Sequence, residues 1–128
     1  GRVPLFAELT TRQLAELAGV LRWQLVAPGE VVAAAGDAAD ALHLVVSGRV
    51  RFEVDDPDGP RRVTGERGAG EAFDELALFA AESRVDSVIA VERTRLARIA
   101  RADFEELVED VPGIALGVCR VLGRRIAR

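Results

Sequence analysis

Apolar residues recur along this chain with two different periods, and the change from one to the other divides it. Leu14, Leu17, Ala18 and Leu21 stand at i, i+3, i+4 and i+7, the spacing that gathers side chains on one face of a helix. Thr10 and Gln13 have the spacing of a capping box, in which each side chain accepts from the other residue's backbone N–H. A helix is therefore predicted to start after Thr10 and to lay its apolar face on the rest of the molecule. From Trp23 the pattern shortens. Trp23 to Val26, Glu30 to Ala34, Ala41 to Ser47 and Arg49 to Val54 are brief runs separated by Pro28-Gly29, Gly36-Asp37 and Gly48, residues that interrupt a ladder and favour turns. In the last of these runs Val50, Phe52 and Val54 alternate with Arg49, Arg51 and Glu53. One face of that strand is expected in the core and the other in water. Strands so short and so regularly spaced suggest a sandwich or small barrel.

After Arg49 to Val54 comes Asp55-Asp56-Pro57-Asp58-Gly59-Pro60, which cannot continue a ladder and is expected as the solvated tip of a hairpin, not a metal site. Val85 to Val91 and Thr94 to Ile99 have the composition of two further strands. The helical period then returns with Phe104, Leu107, Val108 and Val111, and Asp103, Glu105 and Glu106 stand near the start, where acids suit the helix dipole. Pro112 marks a restart. Beyond it Ile114, Val118, Val121 and Leu122 form a second apolar stripe, with Arg120, Arg124 and Arg128 on another face.

Composition narrows the classes of function. With 128 residues, 49% hydrophobic and 30% charged, the chain has the length of one domain and the content to build a core. No apolar run approaches the roughly 18 residues of a spanning helix, and the net charge of -4 argues against a broad nucleic-acid surface. Neither membrane nor nucleic-acid contact is expected. Cys119 is the single cysteine, so no internal disulfide can form, and a cytoplasmic location follows. His43 is the single histidine; it rules against a multi-histidine metal site, and the apolar residues flanking His43 and Cys119 argue against a Ser/His/Asp set or a Cys/His pair. No enzymatic activity and no cofactor are expected. The chain contains no methionine, so a piece excised from a larger protein is expected, with Gly1 a remnant of a removed tag.

One stretch does carry chemistry. Gly70 to Val88 combines a glycine turn, the helix-compatible run Glu75 to Ala81, and Arg84 leading into strand-like residues. Free N–H groups at a helix start, together with a guanidinium fork, suit a phosphate. The Glu75 carboxylate accepts hydrogen bonds only, so the ligand that satisfies both ends carries a phosphate and hydroxyls. The stretch resembles the phosphate-binding cassette of the cyclic nucleotide-binding domain family. Phe73, Glu75, Leu76, Ala77, Leu78, Arg84 and Val88 fit the family pattern, and so does the spacing from Glu75 to Arg84. The turn glycines Gly29, Gly36, Gly48 and Gly70 resemble those of the family's eight-stranded β-roll, and His43 stands where the family often has an aromatic, which implies a structural role.

The resemblance implies a mainly β fold, a jelly-roll-like double-stranded β-helix flanked by an N-terminal helix and C-terminal helices. It would form a single domain over 1–128: a helical lead-in over 1–21, the β-roll over 22–99 with its cassette at 70–88, and helices over 100–128. It implies a ligand site at Asp74, Glu75, Leu76, Ala77, Arg84, Val85 and Asp86, with Glu75 on a ribose hydroxyl and Arg84 on the cyclic phosphate of cAMP or cGMP. An effector domain in the parent chain would respond through the C-terminal helices. The stripe Ile114, Val118, Val121 and Leu122 would cover the nucleotide, pack on its own barrel or support at most a weak homodimer. Three positions depart from the pattern: Asp74 stands where glycine is usual, and Val85 and Asp86 replace a small pair. An aspartate at position 74 would cap the helix N–H groups, and Asp86 would lie on the same side as Arg84. Two functions stay open, a cyclic-nucleotide sensor and a domain of the same fold that binds none and serves as a structural or interaction module.

Overall fold

The computed structural model describes residues 10–78, 80 and 82–110. Helix α1, Thr11–Val20, opens on the expected box: the Gln13 N–H donates to Thr10 Oγ1 at 3.2 Å, and the Thr10 N–H donates to Gln13 Oε1 at 2.9 Å. Leu17 is fully buried, with Val20 and Leu21 packed against the same cluster. Ala18 is exposed, so the helix buries a narrower face than the spacing predicts. A single methyl group loses little by facing water.

Among the described residues ten strands follow: β1 Arg22–Val26, β2 Val31–Ala33, β3 Ala38–Ala39, β4 Ala41–Ser47, β5 Arg49–Val54, β6 Arg62–Gly68, β7 Ala72–Phe73, β8 Glu82–Ser83, β9 Ser87–Ala90 and β10 Thr94–Ala100. Helix α2, Arg101–Asp110, continues directly from β10. Every pairing is antiparallel. One sheet runs β1-β10-β4-β7, the second β2-β9-β5-β6, and β3 and β8 form a small ladder of their own. Apart from β5 and β6, which form the hairpin expected around Asp55 to Pro60, neighbours in the sheets are distant in sequence, the mark of a jelly-roll-like β-roll with flanking helices. Val85 and Asp86 lie in a bend, outside the strand expected over Val85 to Val91.

The first sheet is covered on both faces over parts of β4, β7 and β10, while Trp23 and Leu25 of β1 are exposed. Leu42, Ala72 and Ile99 face α1 and α2, meeting Leu17, Phe104 and Leu107. Val26, Val45, Phe73 and Leu96 face the roll interior and meet Val50, Phe52, Val88 and Ala90 of the second sheet. On β5 the alternation is as predicted for Val50 and Phe52, while Val54 is half-buried. Between β4 and β5 the chain turns at Gly48, whose φ is +91°. A Cβ there would lie 2.5 Å from both the Arg93 carbonyl oxygen and Thr94 Oγ1, so only glycine fits. The apolar positions predicted at Val111, Ile114, Val118, Val121 and Leu122, the restart at Pro112, and Cys119 lie outside the described residues.

Candidate functional site

The cassette is built by a turn that returns the chain to β4. Gly70, at φ +87°, donates its N–H to the Val45 carbonyl at 2.8 Å, and the Val45 N–H donates to the Glu71 carbonyl at 2.9 Å. This sets the register of β7, so that Phe73 lies opposite His43. Their rings stack with centroids 4.7 Å apart and planes 5° from parallel. Asp74 follows at φ +63°, the one described non-glycine residue in the left-handed region. Glycine is the relaxed choice at such a position, and aspartate is among the few alternatives.

The helix expected over Glu75 to Ala81 is a single 3-10 turn, Glu75–Leu78, closed by the Ala77 N–H donating to the Asp74 carbonyl at 3.0 Å. Ala81 lies outside the described residues. The expected role of Asp74 as a cap is not what its carboxylate does. A capping residue has extended backbone, whereas the left-handed φ of Asp74 sends its side chain to Arg84, and Oδ2 accepts from Arg84 Nη1. Arg84 Nη2 donates to Asp86 Oδ1 at 2.9 Å, and Nε donates to the Asp86 carbonyl at 3.3 Å. All three guanidinium nitrogens are thus engaged within the protein. The arginine is also fixed by its backbone, since its N–H donates to the Asp37 carbonyl and its carbonyl accepts from Gly36, both at 2.8 Å. Its side chain is only 4% exposed.

A cavity of about 360 Å³ opens over this arginine, lined among others by His43, Asp74, Arg98, Asp37 and Asp40. A second of about 220 Å³ adjoins Glu75, Leu76, Ala77 and Ala80. Asp74 lines both. Its carboxyl is held above the usual carboxylate range by burial; Arg84 pulls the other way, while Asp86 and Glu75 add to the rise. Burial, then Arg98 and Arg84, push His43 down to about 4, so its contact with Asp74 at 3.8 Å joins a neutral ring to a carboxylate. Arg98 Nη2 stands 3.4 Å from Asp40 Oδ1.

Of the residues singled out in the sequence, Asp74, Arg84 and Asp86 converge, and Glu75 stands beside the adjoining cavity. Ala77 is buried, whereas Leu76 is 64% exposed and Val85 84% exposed. Neither of the last two takes part in the charge cluster. His43, Asp40 and Arg98 also line the cavity, and periodicity held a signal for two of them. His43 shares strand parity with Val45, and Arg98 with Leu96, both of which face the interior.

The family model for the cyclic nucleotide-binding domain matches residues 23–111. A lysophospholipase of Aspergillus terreus is 34% identical over 118 residues, which are 92% of this chain and 8% of that protein. The chain therefore spans a small part of the length of that relative. The N-terminal domain of a transcriptional regulator from Streptomyces coelicolor has a similar structure, with a TM-score of 0.89 at 29% identity, covering 98% of this chain and 90% of the other. The catabolite activator protein of Thermus thermophilus gives a TM-score of 0.81 at 31% identity, over 98% of this chain and 59% of the other.

Proposed function

We propose, since the chain belongs to the cyclic nucleotide-binding domain family, that it is a regulatory domain whose phosphate position is closed by its own carboxylates. On this reading cAMP and cGMP bind weakly or not at all at neutral pH. The domain then serves a larger cytoplasmic polypeptide as a non-catalytic interaction module, with any signal leaving through residues 100–128 and any self-association resting on Ile114, Val118, Val121 and Leu122. The observation that carries the reading is the double pairing of Arg84 with Asp74 and Asp86. Arg84 is the residue that would hold the cyclic phosphate, and Glu75 the one that would hold the ribose. A carboxylate about 5 Å from a phosphate, at an effective dielectric of about 20, opposes it by roughly 3 kcal/mol, about two decades of affinity.

Calorimetry with cAMP and cGMP tests the reading. The wild type is expected to bind at least about 100-fold more weakly than the Asp74→Gly, Asp86→Ala double variant. Micromolar binding by the wild type, unchanged in the double variant, would falsify the closed pocket. The alternative is a cyclic-nucleotide sensor. It is favoured by the two cavities that Asp74 lines, one over an arginine already in place and the other lined by Glu75.

A further inference from the structure

Stacking on Phe73 gives His43 a structural role, but it does not account for the edge of the ring. His43 is only 8% exposed and lines the cavity, and its Nδ1 is buried without a hydrogen-bond partner among the described residues. Folded proteins seldom leave such an atom unpaired, and strain, a bound water or ion, or a functional role ordinarily accounts for one. Asp74 Oδ2 is 3.8 Å away, beyond hydrogen-bond reach. The same oxygen binds Arg84 Nη1, so one carboxylate oxygen stands between the guanidinium and the imidazole.

We propose that His43 and Asp74 together decide what the cavity admits: an anionic cyclic phosphate reaches Arg84 only by releasing Asp74 toward His43 with one proton shared between them. This rests on the closed-pocket reading and adds what reopens it. A phosphate that takes Nη1 from Asp74 leaves that carboxylate facing the ligand, with Asp86 and Glu75 already nearby. One proton removes the conflict, and His43 Nδ1 is the neighbour positioned to share it. The groups facing Asp74 are Arg84, Asp86, Glu75 and His43, and those bearing on His43 are Arg98, Arg84, Asp40 and the backbone of Ala41.

Burial has already moved Asp74 toward protonation, and an arriving anion moves both Asp74 and His43 further that way. Two groups this close take up a proton as one unit. Ligand affinity is then low and flat above the pKa of the filled pair. It rises about tenfold per unit of falling pH between the filled and empty values, and is flat again below them.

The experiment is calorimetry of the whole chain with cAMP and cGMP from about pH 5.5 to 7.5, in buffers of different ionisation enthalpy, so that proton uptake is measured directly. The wild type is expected to take up one proton, with Kd falling about tenfold per pH unit over part of that range. Asp74→Asn is expected to bind without pH dependence. His43→Phe, which keeps an aromatic ring against Phe73, is expected to lose much of the dependence. Binding by the wild type without proton uptake, or a wild-type pH profile in His43→Phe, would overturn the proposal. A wild type that stays silent down to the lowest pH, while the Asp74→Gly, Asp86→Ala variant binds, overturns the proton and leaves the closed pocket standing. Silence of that double variant as well overturns both.

Discussion

Phe73 divides two regions that meet the cost of burial in opposite ways. On one side its ring meets Phe52 edge-on at 5.4 Å, among valines, Leu96 and Ala90 that need nothing but contact. On the other it stacks on His43, and behind that ring a buried guanidinium is held by two carboxylates and a carbonyl. The interior is stabilised by area, and each residue contributes in proportion to the apolar surface it removes from water. The cassette depends on pairing, where a partner removed can cost more than the pair contributed. The first region is therefore sensitive to changes of shape and indifferent to pH, whereas the second responds to pH as well.

The largest effect is expected where the regions share a wall. Phe73→Ala should lose about 4 kcal/mol in denaturant unfolding, since it opens a void against Phe52 and strips the stack from His43. A loss under about 1 kcal/mol would show that the regions do not share that ring. Next comes the pH axis. His43 is held down to about 4 from an ordinary 6.5, so its contribution to stability is complete above 6.5 and is lost as pH falls toward 4. Relative to His43→Phe, the wild type should lose roughly 3 kcal/mol across that interval, measured by unfolding at each pH. Asp74 has the opposite sign. Its pKa is raised, so its contribution is present below the usual carboxylate range and fades as pH rises through its folded value; Asp74→Asn separates the two.

Smaller still is the change expected for Asp74→Gly, a net loss of about 2 kcal/mol in unfolding free energy. It orphans a buried charge only in part, because Asp86 remains on Arg84, and glycine relaxes a left-handed backbone that costs about 1 kcal/mol. A gain in stability would mean that the Asp74 pair contributes nothing. Val85→Ser, in a residue 84% exposed, should stay within about 0.5 kcal/mol and leave the charge cluster untouched. A larger shift in its melting would place Val85 in the cassette's energetics after all.

Helix α1 with its capping box, strands β4, β5 and β10, helix α2 and the positive-φ turns at Gly29, Gly36, Gly48 and Gly70 were all legible in the chain. Each is written in residues that are neighbours in sequence, where a period of two or 3.6 or a glycine states which face or turn is wanted. Strands β3, β7 and β8 were not, because two residues carry no period, and β6 was not, because most of its residues face water. The cassette fell between. Its residue types and the Glu75 to Arg84 spacing pointed to a phosphate site, and the nearness of Asp86 to Arg84 suggested a pair. That Asp74 would turn to Arg84 instead of capping the helix depended on its left-handed φ. That His43 would face the same oxygen depended on the β4–β7 register that sets Phe73 opposite it. Local pattern determines which way a side chain leaves its own strand; only the packing of strands far apart in sequence decides what charge it meets there.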